Sequence, residues 1–284
     1  MKFITKLLSL LLIIFNLSTS NSVTAQNLQE TINLADIQYN NANYKLALKE
    51  YQRAIFFSND DNINYLYRQT ANSFFRLINY KKAAYYYELS YKTSTSDSIK
   101  NEILLQKASC YILSNNYEFA LLELINLTDT LNSYFNDRKN LYYAVIYFGL
   151  EDFNNSKTYF LKLLSDNKVT EIQEIDKIFS KKRNLYRPNP KLAKAFSIIL
   201  PGSGQLYSGD IKNSLNSLIL TGGLVVLGVY IAQYYSIFDA ILTSAPWLLR
   251  YYTGGFKNSK KIALKKRAKR RDKSFKKLLN IVNN

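Results

Sequence analysis

Leu66–Tyr91 reads LYRQTANSFFRLINYKKAAYYYELSY, and this stretch carries the pattern that decides the fold. Tyr80 is followed by a small residue, Ala83, three places later and by a bulky residue, Tyr87, seven places later. Positions i, i+3 and i+7 lie on one face of an α-helix. Upstream of Tyr80, Ala71 and the aromatic residue three places after it share a face in the same way. The stretch therefore predicts two amphipathic helices joined by a short polar turn.

This pattern occurs four times, at intervals of 36, 37 and 36 residues. Each copy has an alanine, then an aromatic residue nine places later, then a small residue and a bulky residue. In chain order these positions are Ala35, Tyr44, Ala47 and Tyr51; Ala71, Tyr80, Ala83 and Tyr87; Ala108, Tyr117, Ala120 and Leu124; and Ala144, Phe153, Ser156 and Phe160. A fixed period in this range predicts a solenoid of helix pairs, of which about three or more must stack to bury their apolar faces.

With this pattern the chain resembles the tetratricopeptide (TPR) repeat family over roughly Leu28 to Asp166. The period is longer than the family's value of about 34 residues. The proline that closes the family's repeats is absent, because the first proline is Pro188. The resemblance implies an all-α, TPR-like helical-hairpin solenoid of about four repeats, for which the helix predicted from Thr170 to Lys182 is a capping helix. It also implies a surface that binds a protein or a peptide.

The resemblance also indicates where a partner would bind. On the family's concave face, the matching contact positions are Arg68, Asn72, Phe75 and Arg76. The first two resemble the start of the arrangement with which the family grips a carboxylate. Three residues complete that arrangement only in part: Gln106, Arg138 and Tyr142. A solvated helix face without a ligand remains the alternative for this surface.

The composition excludes several kinds of chemistry. The chain has no histidine and one cysteine, Cys110. A Ser-His-Asp triad and a Cys/His metal cluster are therefore impossible. Cys110 lies two residues after Ala108 in a repeat helix, where a small core residue is the expected role. We expect neither an enzyme nor a cofactor or metal site.

Residues 1–25 have the layout of a secretory signal peptide. The start is positively charged at Lys2 and Lys6, Leu7–Leu17 is a short apolar run, and a small-residue cleavage pattern ends at Ala25. The run is shorter than the about 20 residues of a spanning helix, although an uncleaved anchor remains the alternative. Either case predicts export of the repeats. Because the Lys-, Asn-, Ile- and Tyr-rich composition is typical of a low-GC bacterium, we expect the repeats in the periplasm of the bacterial cell envelope.

A change in composition divides the rest of the chain. All four prolines lie beyond residue 187, and eight of the nine glycines lie beyond residue 200. This shift predicts a helical repeat domain at residues 27–183 and a linker at 184–190. A hydrophobic membrane hairpin at 191–256 and a basic tail at 257–284 follow.

Residues 201–209 read PGSGQLYSG and precede a glycine-containing apolar hairpin. The pattern Pro-Gly-x-Gly-Gln-x-Tyr-x-Gly resembles small bacterial membrane-hairpin modules related to the TM2 type, over about residues 192–264. Its defining positions are Pro201, Gly202, Gly204, Gln205, Tyr207 and Gly209. A dinucleotide or phosphate loop is excluded, because a third glycine and a Gly-Lys-Ser/Thr sequence are missing. A tight turn between an interfacial helix and a spanning helix is favoured over a ligand site.

Two apolar segments follow the motif. Leu215–Ala232 would extend about 27 Å as a helix, close to the roughly 30 Å of the hydrocarbon core. Ile237–Leu249 is apolar again and contains Trp247 near its end, which is typical of an interfacial belt. Basic residues on both sides of the hairpin favour two spans, whereas the positive-inside rule favours one span for an exported chain. The number of spans therefore stays open.

The stretch from Lys257 to Lys277 contains twelve Lys and Arg residues and one acid, Asp272. Because apolar segments adjoin it, we predict that it lies on anionic lipid, where each basic residue contributes about 1 kcal/mol. The residues expected to face lipid are Lys265, Lys266, Arg267, Lys269, Arg270 and Arg271. A nucleic-acid contact and a simple topology signal are the alternatives, and export disfavours the first of them.

These observations predict a non-enzymatic, membrane-attached scaffold or adaptor. Its repeats would bind a protein or peptide partner, and its C-terminal region would bind the membrane. The alternative is a membrane-biogenesis or transport component, in which the hairpin is the working part and the repeats recruit partners.

Overall fold

The computed structural model of the protein describes residues 27–58, 60–127, 133–165 and 167–283. Within these ranges the chain forms 14 helices and no strand, which confirms the predicted all-α class. The predicted signal peptide at residues 1–25 lies outside the described residues. The chain divides into two compact units, the first ending at Tyr142 and the second beginning at Tyr143.

The helices of the first unit alternate with short turns, and neighbours in sequence pack against each other from α1 to α6. They are α1 (Leu28–Asn40), α2 (Tyr44–Phe57), α3 (Asp60–Arg76), α4 (Tyr80–Thr93), α5 (Asp97–Leu113) and α6 (Tyr117–Ile125). The following helix, α7 (Ser133–Gly149), contains the division between the two units.

One type of turn recurs at four places, with the period of the sequence pattern. A residue in the left-handed conformation, with φ between 59° and 64°, stands at Ala42, Ile78, Asn115 and Glu151. The N–H of the next residue donates to the carbonyl five residues earlier, as from Asn79 to Phe74 at 2.9 Å. The left-handed residue itself donates to the carbonyl three residues earlier, as from Ile78 to Phe75 at 3.0 Å. These two hydrogen bonds define the Schellman motif, which satisfies carbonyls at a helix C-terminus.

The residue after each left-handed position also begins the next helix. Asn79 accepts a hydrogen bond from the Lys82 N–H, and Asp152 accepts one from the Asn155 N–H. Such side chains satisfy donors that a helix N-terminus leaves without partners. A short turn therefore ends one helix and starts its partner, which fixes the two helices side by side.

The repeated small positions are the points of closest packing. The four alanines that precede the turns have no exposed surface, and neither do the small residues that follow them. The bulky position is also buried in every copy, with at most 2% exposure. The i+3 and i+7 positions of the predicted face are thus buried, whereas position i is half-buried at Tyr44, Tyr80 and Tyr117 and buried at Phe153. Each large apolar side chain that is buried contributes roughly 1.5–3 kcal/mol.

The second unit comprises the end of α7 and seven further helices. These are α8 (Phe153–Leu161), α9 (Val169–Ser180), α10 (Lys182–Tyr186), α11 (Pro190–Ile199), α12 (Ser203–Tyr207), α13 (Ile211–Tyr234) and α14 (Ile237–Asn283). The longest, α14, has 47 residues and joins the second apolar segment to the basic stretch without interruption. It packs against α9, α10, α11, α12 and α13. This unit therefore extends through the predicted linker at residues 184–190.

The C-terminal end of α14 lies in the core of the second unit. Leu278 has no exposed surface and joins a cluster with Phe148, Phe160 and Ile175. Phe275 stacks at a tilt against Phe148, with 5.1 Å between ring centroids. The last turns of the predicted basic tail are thus an amphipathic helix whose apolar side is buried in protein.

The helices α13 and α14 form an antiparallel hairpin. A Cβ atom added to Gly228 would lie 2.8 Å from Ser244 Oγ, and one added to Gly255 would lie 2.8 Å from Ser217 Oγ. The C-terminal half of α13 therefore faces the first turns of α14, and the N-terminal half of α13 faces residues further along α14. Within the described residues, α13 is the one helix long and apolar enough to cross a membrane, with a mean hydropathy of 1.9 and 6% of its apolar window buried.

We expect Ile78→Gly to raise the free energy of unfolding by about 1 kcal/mol, because a β-branched residue is strained in the left-handed region. Ile78 is 73% exposed, so little packing is lost with its side chain. Urea unfolding of the purified full-length protein, followed by circular dichroism, measures the change. Asn115→Gly is the matched control and should have a smaller effect, since asparagine tolerates this conformation. A decrease in stability for Ile78→Gly would contradict the assignment.

Candidate functional site

The four residues predicted to contact a partner lie on one face of α3. Arg68, Asn72 and Phe75 are half-buried, and Arg76 is exposed. Their spacing of four, three and one residues places them along successive turns. The structure therefore brings the predicted positions onto a common helix surface.

Neighbouring residues already hold three of these side chains. The Tyr87 hydroxyl donates to Asn72 Oδ1 at 2.6 Å, and Asn72 Nδ2 donates to Gln69 Oε1 at 2.9 Å. The ring of Phe75 packs edge-on against Tyr80, with 5.5 Å between centroids. A hydrogen bond with the Tyr39 hydroxyl raises the pKa of Arg76. Asn72 and Phe75 are therefore fixed in place, and the positive charges of Arg68 and Arg76 flank them.

A half-buried carboxylate joins the first three helices. Asp36 Oδ1 accepts hydrogen bonds from the hydroxyls of Tyr51 at 2.6 Å and Tyr65 at 2.7 Å. Burial and the hydrogen bond to Asp36 raise the pKa of Tyr65 to about 12. Asp36 and Tyr51 occupy the same repeat positions as Asn72 and Tyr87. A hydrogen-bonded pair of a tyrosine and a polar residue thus recurs in the first two repeats. The interval of 36 residues between the two pairs is visible in the sequence, but the pairing was not predicted from it.

The predicted carboxylate grip is occupied by a residue of the protein. Arg138 Nη1 donates to Glu102 Oε2 at 2.5 Å, and Gln106 Nε2 donates to Glu102 Oε1 at 3.0 Å. Burial opposes the charge of Arg138, but hydrogen bonds to Glu102 and Tyr142 raise its pKa. Arg138, Gln106 and Tyr142 are therefore brought together, but around the carboxylate of Glu102. Sequence reasoning missed Glu102.

A buried lysine connects α4, α5 and α6. Lys107 Nζ lies 2.5 Å from Glu88 Oε2 and 2.9 Å from Glu123 Oε1. The hydrogen bond to Lys107 lowers the pKa of Glu88, whereas burial raises the pKa of Glu123. A cavity of about 690 Å³ adjoins this group, and the aromatic residues that line it are Tyr80, Tyr85, Tyr111 and Phe119. Lys107, Glu88 and Glu123 stabilise the packing of the third helix pair only when all three are present, because a buried charge without its partner is costly.

The glycines of residues 201–209 permit a close helix crossing. Gly202 has φ +91° and stands at the N-terminus of α12. A Cβ atom added to Gly204 would lie 1.8 Å from the carbonyl oxygen of Ala193 in α11. The motif therefore forms a tight helical corner.

Gln205 connects this corner to α14. Its side chain has no exposed surface. Its Oε1 accepts from Ser197 Oγ at 2.8 Å, and its Nε2 donates to the Gly255 carbonyl at 3.0 Å. The Tyr207 hydroxyl accepts from the Asn189 N–H at 3.2 Å. The polar positions of the motif thus serve contacts among α11, α12 and α14.

The basic stretch makes specific contacts within the second unit. Lys266 donates to the Gly209 carbonyl, and Arg270 donates to the Arg187 carbonyl at 3.2 Å. Arg271 donates to the Leu185 carbonyl at 2.6 Å. Lys265 and Lys269 are exposed. Protein groups therefore hold part of the surface that was predicted to face lipid.

An ion pair links Arg271 to the fourth turn. Arg271 Nη2 donates to Glu151 Oε2 at 2.9 Å, and Nη1 donates to Oε1. Arg267 adds a longer contact with Glu151, at 3.6 Å. The hydrogen bond from Arg271 lowers the pKa of Glu151. Glu151 is also the left-handed residue of its turn, so the pair joins α14 to the turn between α7 and α8.

No protein-family model, curated protein or solved structure matches the chain. Within the described residues, no group of three or more His, Cys, Asp or Glu side chains is arranged to hold a metal ion. Burial raises the pKa of the Cys110 thiol to about 12, which makes this thiol unreactive at neutral pH.

We expect Gly204→Ala to lower the free energy of unfolding by about 1–3 kcal/mol, because the added methyl group forces α11 and α12 apart. Gly254→Ala is the matched control. No atom lies within 4 Å of a Cβ at that position, so the gain in helix propensity should raise stability by up to about 1 kcal/mol. Thermal unfolding of the full-length protein in detergent, followed by the fluorescence of Trp247, measures both. Equal effects would contradict the described crossing.

We expect Arg271→Gln to destabilise the protein by about 1 kcal/mol at neutral pH, since the pair with Glu151 is partly exposed. A carboxylate with a lowered pKa stabilises the folded state above its ordinary pKa, and this contribution is lost as the pH falls through the lower value. The difference from the unchanged protein should therefore shrink below about pH 4. Lys269→Gln removes the same charge from an exposed site and should have little effect at either pH. A difference that grows on acidification would exclude this role of the pair.

Proposed function

We propose that the protein is a membrane-attached adaptor of the bacterial cell envelope. A TPR-like solenoid would hold a protein or peptide partner, and the C-terminal hairpin would attach the solenoid to the bilayer. The observation that carries the proposal is the recurrence of one Schellman turn at Ala42, Ile78, Asn115 and Glu151. The same local turn geometry is repeated with the period of the sequence, as expected if the helix pairs form a solenoid.

Contacts between the first helices of neighbouring pairs support the solenoid. Tyr65 of α3 bonds to Asp36 of α1, and Arg138 of α7 bonds to Glu102 of α5. Each contact joins one helix pair to the next on the same side. In a stack of helix pairs, the first helices line the concave surface on which extended partners bind.

The chemistry of α3 indicates the kind of partner. Arg68 and Arg76 supply positive charge beside the half-buried ring of Phe75. Arginine binds carboxylates through paired hydrogen bonds, and an adjacent aromatic ring provides apolar contact area. An acidic peptide segment with one apolar side chain fits this surface.

The apolar surface of the hairpin supports attachment to a membrane. α13 leaves most of its large apolar side chains exposed, which include Leu215, Leu218, Ile219, Val226 and Val229. Exposure of an apolar surface of this size to water is unfavourable, whereas a bilayer would cover it. The predicted signal peptide supports a periplasmic repeat domain.

Site-specific photo-cross-linking in cells tests the proposal. A photoactivatable residue at position 76 should give a discrete adduct with another protein, because Arg76 is exposed on the proposed surface. The same residue at position 49, on the second helix of the first pair, should give none. Arg68→Ala should reduce the adduct from position 76 about tenfold, the loss expected for one charge-assisted contact. The adduct should sediment with membranes and be digested by protease added to spheroplasts.

An adduct that is unchanged by Arg68→Ala would exclude this surface, and a protease-resistant adduct would exclude the periplasmic location. Removal of residues 27–142 distinguishes the alternative, in which the hairpin is the working part. The cut follows the boundary of the first unit, so Glu151 and the other contacts of α14 remain. Full activity without the first unit would favour a biogenesis or transport role over an adaptor.

A further inference from the structure

The hairpin of α13 and α14 contains a cavity of about 370 Å³ with several polar side chains in its lining. We name it the hairpin cavity. Its polar lining consists of Gln205, Asn213, Asn216, Ser217, Thr221, Arg250 and Asn258. Polar groups between membrane helices are costly unless they bind one another or a ligand.

Glycines create the space. Gly254 has no atom within 4 Å of an added Cβ, and Gly255 lets α14 approach Ser217 of α13. The two residues place bare helix backbone opposite the side chains of α13. The cavity therefore forms because glycines, and not larger residues, stand where α14 faces the side chains of α13.

Two hydroxyl groups in this cavity have no hydrogen-bond partner among the described residues. They are Ser217 Oγ and Thr221 Oγ1, and Thr221 is only 3% exposed. A hydroxyl inside a helix ordinarily donates to the carbonyl four residues earlier. Thr243 and Ser244 of α14 do so, each at 2.6 Å. The hydroxyls of Ser217 and Thr221 are thus buried donors without a partner among the described residues.

The groups around the hydroxyls favour an anion. Arg250 contributes a positive charge, and Asn213, Asn216 and Asn258 contribute amide donors, whereas no acidic residue is among the described lining residues. Arg250 precedes Asn258 by eight residues, about 12 Å along the helix, so its long side chain can extend toward the amides. Arginine, amide and hydroxyl donors together match the oxygens of a phosphate group.

The cavity lies at the end of the hairpin that continues into the basic stretch. Lys212 precedes it on α13, and Lys260 follows it on α14. In the proposed attachment, this end is at the level of the lipid headgroups, where phosphates are concentrated. Basic pockets between membrane helices bind anionic headgroups.

We propose that the hairpin cavity binds the phosphate of an anionic phospholipid headgroup, of the phosphatidylglycerol kind. Arg250 pairs with the phosphate, and Ser217 and Thr221 donate to it or to a headgroup hydroxyl. The acyl chains extend along the exposed apolar surface of α13. This inference rests on the proposed attachment of the hairpin to a bilayer, and it adds a lipid preference that attachment alone does not require.

The single tryptophan of the chain provides the measurement. Trp247 lies beside the cavity, with the Arg250 guanidinium 5.8 Å from its ring centroid. Full-length protein is reconstituted in phosphatidylcholine vesicles that contain an equal fraction of brominated phosphatidylglycerol or brominated phosphatidylcholine. Bromine quenches a nearby tryptophan, so the ratio of quenching gives the relative affinity for the two lipids. We expect stronger quenching by phosphatidylglycerol.

Matched variants test the assigned residues. Arg250→Gln should lower the relative affinity for phosphatidylglycerol on the order of tenfold, and Thr221→Val should lower it about threefold. Lys257→Gln removes the same charge outside the cavity, and Thr243→Val removes an equivalent hydroxyl outside it. Both controls should keep the preference. An equal loss in Lys257→Gln would assign the preference to diffuse surface charge and overturn the site.

Three further outcomes separate this inference from the attachment on which it rests. Without quenching by brominated phosphatidylcholine, Trp247 is not in the bilayer, and both proposals fail. Equal quenching by the two lipids leaves the attachment intact and overturns the lipid site. Loss of the preference in millimolar inorganic phosphate, at constant ionic strength, assigns the cavity to a soluble anion and overturns the lipid assignment.

Discussion

Helix backbones approach closely only where side chains are small, and both units of the protein depend on this constraint. In the repeats, Ala71 and Ala83 meet without exposed surface, and larger side chains fill the space around them. In the second unit, Gly204 lies against the backbone of Ala193, and Gly228 lies against Ser244. Such contacts gain dispersion energy from many atoms at once, and they lose it when the backbones separate. The same rule thus applies to the alanine positions of the first unit and to the apolar hairpin of the second.

The local parts of the fold were predictable from the sequence, whereas the long-range parts were not. The positions of Ala35, Ala47 and Tyr51 indicated the buried helix faces, because helical periodicity depends only on residues that are close in the sequence. The left-handed residues gave no signal, since Ala42 and Ile78 stand where glycine is usual. The continuity of α14 was missed because its apolar and basic halves differ in composition.

The candidate surfaces show the same division. The spacing of Arg68, Asn72 and Arg76 was sufficient to place them on one face. The partner of Arg138, by contrast, is Glu102 in a preceding helix, and that of Arg271 is Glu151, 120 residues away in the chain. Charge composition alone cannot distinguish a cation that faces solvent or lipid from one that pairs with a distant carboxylate. The basic stretch was therefore read as a surface, although Leu278 and Phe275 give it a buried side.

The uninterrupted course of α14 has a mechanical consequence. From Trp247 to Asn283 the helix extends about 55 Å, from the apolar hairpin to the aromatic cluster around Leu278. A helix of this length behaves as a stiff lever, and a tilt of about 10° at one end displaces the other by roughly 10 Å. Spanning helices tilt when the thickness of the bilayer changes. If the hairpin is attached to a bilayer as proposed, a change in its inclination would strain the cluster that contains Leu278, and lipid composition would then affect the packing around that residue.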